Sequence, residues 1–354
     1  MSKARGLADL GNVYDDGALS NRNVIVNGDC NVNQRNTTGA ASGAYGPDRH
    51  KQIYGISTTS IQQGSVSSGT DPYKLGFRNS VLITNTSASS STSHYAQSEY
   101  RFEGQDLNRM GWDFSSSASY VTLSFWAKSS VAGTYSLFMD DNAQTNRISF
   151  SYTLAANTWK KVEIAIQGDS SINIPDDNGM RLRIVFIQSY GSSYLTSGHV
   201  NDQWAAASGS SYAPDQDHSW GNTASATWEM TGLQLELSDT ATPFEHPRSY
   251  SDELARCQRY YENFKKSELT SDRTAAGGGW DTAVILPYRQ EKRAAPTITY
   301  TDFEIRDGAN LAASISSVTP EKMHAIVNTA SSLTAGGSFR FNSASGVVSI
   351  DAEL

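Results

Sequence analysis

The sequence predicts an all-β chain: an antiparallel β-sandwich or barrel over residues 24–245, then a short helix and a smaller antiparallel β-domain. Two observations carry this. About ten segments alternate apolar with polar residues or run apolar over strand length, and no segment of helical period lies between them, which rules out parallel βαβ crossovers. Charged residues make up only 18% of the 354, a composition that suits polar-faced sheets with many turns.

In order, residues 1–23 hold too few apolar side chains for a domain and read either as a frayed terminus or as an arm that orders against a neighbouring subunit or protein. The first strand opens at Val24 and runs into an Asn27-Gly28 turn. Strand runs follow at 53–61, 80–84, 94–102, 120–128, 133–139, 147–154, 159–167 and 181–188. In the fourth of these, Val121, Leu123 and Phe125 point to one face and Thr122, Ser124 and Trp126 to the other, so one face is core and one partly polar. Trp228, Met230, Leu233, Leu235 and Leu237 read as a closing strand with a slip at Gly232. Pro243 and Pro247 then enforce an extended linker. Ser249 stands three residues before Asp252 in a capping-box-like arrangement, which predicts a helix over 252–264. Runs at 280–288, 296–300, 303–305, 312–318, 324–328, 339–342 and 347–351 complete the second β-domain. The expected domains are an arm at 1–23, a sandwich at 24–245, a linker and helix at 246–266, and a β-domain at 267–354.

Several classes are disfavoured. A net charge of −8 without a Lys/Arg run argues against a nucleic-acid groove. No apolar run approaches the ~20 residues of a membrane-spanning helix, and the first residues lack a signal-peptide core, so synthesis in the cytosol is expected. Cys30 and Cys257 form no CxxC or Cys/His pattern and read as buried thiols. No fixed-period repeat occurs, which disfavours a fibre shaft.

The 189–227 connection is too long for a hairpin and gathers aromatic and acidic residues: Tyr190, Tyr194, Trp204, Tyr212, Asp215, Asp217 and Trp220. Flat rings and fixed carboxylates suit sugar binding, so these are the candidate ligand residues; the alternative is that Trp204 and Trp220 fold inward and pin the loop. Trp126, Trp159 and Trp228 lie in predicted strands and read as packing residues. Glycan hydrolysis would need two carboxylates held ~5–5.5 Å or ~6.5–9.5 Å apart. Asp215 with Asp217, or Asp176 with Asp177, could supply them, but acids in turns are usually only solvated, and no nucleophilic triad or phosphate loop is signalled. No cofactor is expected beyond a structural Ca²⁺: the strand order resembles jelly-roll modules that often tie their first and last strands with one, and this implies Asp29, backbone carbonyls and Glu236 as ligands, the alternative being that Asn27-Gly28-Asp29 is only a turn.

The stretch 228–236, the Ala241-Thr242-Pro243-Phe244-Glu245 linker and the Cys257-Gln258-Arg259-Tyr260-Tyr261 helix resemble a family of tailed-phage virion proteins, many from marine and cyanobacterial phages, that serve as tail fibres or related surface appendages. The leader with its Asn21-Arg22-Asn23 start, residues 45–49, 103–107, 123–128, 133–135 and 157–161 are similar to the same family, and the strand order resembles jelly-roll carbohydrate-binding modules. The resemblance implies a non-enzymatic virion protein: an arm using Leu7, Leu10 and Tyr14 to attach to other tail or capsid proteins, and a jelly-roll sandwich that binds a host surface polysaccharide. It also implies a homotrimer, with Leu254, Cys257 and Tyr261 as a candidate seam unless that face covers the core. The alternative within the virion is a capsid-decorating or tail-adaptor protein that touches only other virion proteins.

Overall fold

The computed structural model describes residues 22–36, 38–141, 145–195, 201–207, 215–217, 219–265, 270–272, 282–300, 304–307, 309–316, 318–327, 338–340 and 347–354. The chain divides into two compact units that meet at Arg248/Ser249.

The first unit is an antiparallel jelly-roll sandwich. Its strands are β1 (Lys51–Gly55), β2 (Thr58–Ser65), β3 (Asn79–Ser87), β4 (Tyr95–Glu103), β5 (Tyr120–Ser129), β6 (Gly133–Asp141), β7 (Asn146–Leu154), β8 (Lys160–Gln167), β9 (Met180–Tyr190), β10 (Ala205–Ala206) and β11 (Thr227–Leu237). One sheet has the order β1-β4-β9-β6-β7-β10 and the other β2-β3-β11-β5-β8. The short helices α1 (Asp71–Lys74), α2 (Gly104–Arg109) and α3 (Ser219–Asn222) sit in the connections.

Alternation builds the core, because every second side chain points between the sheets. Val121, Leu123 and Phe125 are fully buried, and Phe125 meets Phe186 of the opposite sheet edge-on at 5.1 Å between ring centroids. Trp228 closes this layer 6.0 Å from Phe186. The 53–61 run is not one strand. Ile56 takes φ +72° and the chain passes there from the six-stranded sheet to the five-stranded one. The segment at Val24 forms no strand of its own but lies along β11, with Val24 N donating to Leu235 O at 3.1 Å and Leu233 N to Gly28 O at 2.9 Å. Gly28 must lack a side chain, since a Cβ would stand 2.1 Å from Leu233 O.

The slip expected at Gly232 is a β-bulge. Thr231 pairs with Trp126 and Gln234 with Ser124, so two residues of β11 oppose Phe125 alone. Gly232 takes φ +66°, and the extra residue keeps Met230, Leu233 and Leu235 all facing the core.

The second unit begins with α4 (Tyr250–Gln258), whose N-cap Ser249 accepts a hydrogen bond from Asp252 N at 3.1 Å. The helix is shorter than expected: Tyr261 starts strand β12 (Tyr261–Lys265), which pairs with the end of the chain. The remaining strands are β13 (Thr270–Asp272), β14 (Thr282–Pro287), β15 (Thr297–Tyr300), β16 (Glu304–Asp307), β17 (Ala309–Ser316), β18 (Lys322–Val327), β19 (Ser338–Arg340) and β20 (Val347–Asp351). They form antiparallel sheets in the orders β12-β20-β15, β13-β19 and β14-β18-β17-β16. Of the residues suggested as a trimer seam, Cys257 and Tyr261 are buried within the chain and Leu254 is half-buried. Both cysteines are buried thiols outside any disulfide, and burial pushes the Cys30 thiol well above its usual range.

Candidate functional site

The outward faces of the two sheets differ. On the six-stranded sheet, alternation places Gln97, Glu99 and Arg101 of β4, Asp140 of β6, Arg147 of β7 and Arg183 of β9 on the side away from the main core. Arg183 reaches Asp140 at 2.7 Å and Glu99 at 3.0 Å, Arg101 reaches Glu99 at 2.8 Å, and Arg147 reaches Asp140 at 3.1 Å. Glu99, Asp140 and Arg147 are sealed from solvent. Burial would lower the Arg183 guanidinium, but its carboxylate partners dominate and hold it above the usual arginine range. Next to this network, Phe138, Val185, Ile187 and Tyr190 form a second apolar cluster capped by Tyr95, Tyr194 and Leu195. This face is occupied by the protein's own groups.

The 189–227 connection supplies much of that cover, which corrects the sequence reading of its aromatic residues. Trp220 is 1% exposed and belongs to the main core; Tyr190 is 4% exposed and its hydroxyl bonds to Gln97. Neither can offer a ring face to a ligand. Trp204 packs against the core and donates Nε1–H to Gln167 O at 2.8 Å. Tyr194, partly exposed, meets Tyr95 edge-on at 6.0 Å and Tyr190 at a tilt at 5.2 Å between ring centroids. Asp215 accepts from Ser151 and Asn201, and Asp217 from Ser219, so both carboxylates brace turns. Asp177 likewise holds Arg181, which keeps its carboxyl below the usual range. Tyr212 lies outside the described residues, as do Leu7, Leu10 and Tyr14.

The two carboxylates named for calcium are both engaged by neighbouring groups. Glu236 accepts from Thr242 N at 2.9 Å and Thr242 Oγ1 at 2.6 Å, with Arg22 at 3.9 Å. Asp29 accepts from Asn31. Among the described residues no cluster of three or more His, Cys, Asp or Glu side chains could hold a metal ion.

The outer face of the five-stranded sheet holds a groove of about 520 Å³ over β5 and β8, while Thr122, Thr231, Gln234 and Glu236 on the same face are buried. Its floor is Ser124 and Trp126 of β5 with Lys161 of β8, which pairs directly with Trp126. Trp126 is partly exposed because its position in β5 points away from the core. The back wall is Phe77 beside the Gly232 bulge. A strap, residues 241–246, forms the other wall with Thr242, Phe244 and His246. Phe77, Phe244 and His246 make a mutual ring cluster with centroids 4.9–5.1 Å apart. His246 Nε2 is 2.9 Å from Leu75 O, tying the strap to the rim.

The strap holds its place because β11 presents acceptors to it. Besides the Glu236–Thr242 bonds, Gln234 Oε1 accepts from Glu245 N at 2.8 Å. Arg22 donates to Thr242 Oγ1 at 2.8 Å, and Asn23 N donates to Glu245 Oε2 at 3.0 Å. Pro243 within the strap and Pro247 directly after it limit its freedom. Further along the same outer face lies Trp159, also partly exposed, with Lys128 Nζ 5.0 Å from its ring centroid and 2.6 Å from Glu229.

No family model matches the chain, and no curated protein matches it. Among solved structures it is similar to a CBM4 module, at 12% identity and TM-score 0.32 over 60% of this chain and 98% of that one. It is also similar to a putative sugar binding protein from Bacteroides thetaiotaomicron, at 15% identity and TM-score 0.32 over 61% of this chain and 100% of that one. A third match is a cyclase from Fischerella sp., at 10% identity and TM-score 0.30 over 59% and 90% of the two chains. Likeness at these scores carries no argument about what the chain does, since function lives in a site and not in a fold.

Proposed function

We propose that the first unit is a non-catalytic glycan-binding module whose ligand lies in the groove over Trp126. The observation that carries this is the partly exposed Trp126 indole on the floor of a groove walled by Phe244 and His246, with Ser124, Thr242 and Lys161 beside it. A sugar presents C–H groups to an aromatic face and hydroxyls to its edges, and this wall and floor supply both kinds of partner. The volume falls within the range of pockets that hold small ligands. The sequence resemblance supports a setting on a tailed-phage appendage, where a weak site repeated over several copies becomes a tight attachment through effective concentration.

The test is binding of the purified protein to an array of bacterial surface polysaccharides, comparing wild type with Trp126→Ala and Trp204→Ala. A folded Trp126→Ala protein is expected to lose at least about tenfold in affinity, roughly 1.4 kcal/mol. Trp204→Ala is expected to keep its affinity, because that indole is spent on Gln167 inside the protein. If wild type binds no glycan, or if folded Trp126→Ala binds as wild type does, the reading fails and contacts with other virion proteins become the better account.

A further inference from the structure

Resting on that reading, we propose that the ligand is a linear oligosaccharide several sugars long, bound along its length from the groove to Trp159, and not a single terminal sugar. Trp159 belongs to neither of the first unit's two apolar clusters described above, and it is partly exposed on the outer side of the sheet that holds Trp126. In the β5–β8 ladder Trp126 faces Lys161 and Ala127 faces Lys160, the last pair; Trp159 directly precedes β8 and has Lys128 Nζ 5.0 Å from its ring centroid. It therefore lies one strand over and two residues along from Trp126, on the same face. Diagonal neighbours of this kind have backbones ~7–8 Å apart.

Two separate rings at that spacing serve neighbouring sugars of one chain better than a single ring. The groups flanking the two rings are charged: Lys161, opposite Trp126, and Lys128, whose Nζ is 5.0 Å from the Trp159 ring centroid and 2.6 Å from Glu229 on β11. Glu229 is held in turn by Ser80 at 3.1 Å. Two rings with fixed charged groups at their edges match the sugar faces and hydroxyl edges along an extended glycan. The strap closes the groove at its Phe244 and His246 end, while the Trp159 end lies at β8, an edge strand. Extra sugars therefore extend the complex toward Trp159. In this scheme Trp159 is a positioning residue that sets preference for chain length, and Trp126 is required for any sugar to bind.

The experiment measures calorimetric affinities of wild type, Trp126→Ala, Trp159→Ala and Trp159→Phe for two- and six-residue members of the cello-, xylo-, β-1,3-gluco- and galacto-oligosaccharide series. The proposal expects a six-residue member to bind wild type at least about tenfold tighter than its two-residue counterpart. Trp159→Ala should remove that difference without changing the two-residue affinity, and Trp159→Phe, which keeps a flat ring, should restore most of it. Equal binding of both lengths by wild type, or an unchanged six-residue affinity in Trp159→Ala, overturns the track while a loss in Trp126→Ala preserves the groove. Binding of no series by wild type overturns both.

Discussion

Replacing Gly232 by alanine tests whether the back wall of the groove is as rigid as its packing implies. Two costs arise. Alanine at φ +66° pays the left-handed penalty of ~1–2 kcal/mol. Its Cβ would also stand 2.6 Å from Phe77 Cζ, closer than carbon atoms approach, so the ring must move. Phe77 is 2% exposed and boxed in by Phe244 and His246, so it can yield only by leaving its preferred rotamer, at ~0.5–1.5 kcal/mol. The total is about 1.5–3.5 kcal/mol. Gly69→Ala is the matched control: φ is +85°, yet nothing lies within 4 Å of the added carbon, so only the backbone cost applies. Denaturant unfolding followed by tryptophan fluorescence reads the first unit, because Trp280 alone of the seven tryptophans lies beyond residue 248. A larger loss for Gly232→Ala than for Gly69→Ala, at unchanged m, is the expected result. Equal losses would refute the rigid wall, and losses below about 0.5 kcal/mol in both would refute the backbone argument as well.

Arg183→Ala leaves the buried carboxylates of Asp140 and Glu99 without their shared cation and is expected to cost about 3–5 kcal/mol by the same unfolding assay, with glycan affinity retained in the folded fraction. Burial pushes Tyr135 up to about 12, the Ser129 hydrogen bond opposing this and Asp217 adding to it. An unfolded tyrosine releases its proton near pH 10, so between about pH 10 and 12 the unfolded state binds fewer protons. Stability is complete below pH 10 and falls by roughly 2–3 kcal/mol as pH rises through that window; Tyr135→Phe should flatten this part of a stability–pH curve and leave the share of Tyr152, which burial also raises. Ser249→Ala removes the cap on Asp252 N and should weaken α4 by about 1 kcal/mol, read as faster hydrogen exchange at its first amides.

Local rules were legible where the chain answers to them locally. The alternation of residues 121–125 reads the core face of β5 correctly, Gly232 marks a bulge, and Ser249 with Asp252 marks a helix start. What local rules miss depends on partners far along the chain. Tyr261 continues a helical pattern in sequence, yet its backbone pairs with Asp351. Ile56, β-branched, gives no hint of a positive φ. The dense aromatic content of 189–227 has two outcomes, exposed or inward, and only the sheet beneath decides; Trp220 and Tyr190 go inward. The groove was out of reach because its walls come from positions 77, 126, 161, 232 and 244, no two of them neighbours in sequence. Trp126 was read as packing, although its parity in the 120–128 run already set it on the face away from the core.

The bonds that join Arg22 and Asn23 to Thr242, Pro243 and Glu245 have a mechanical meaning. They place the entry and exit of the first unit side by side, and the segment from Val24 onward runs antiparallel to β11 from that point. Tension applied between residues 22 and 248 therefore opens this pair like a zipper, one hydrogen bond after another, instead of shearing many at once. The strap is the first part to come away, and it carries Phe244 and His246 with it. Under load the groove would lose a wall before the sandwich yields, so a pull along the chain and retention of a ligand work against each other.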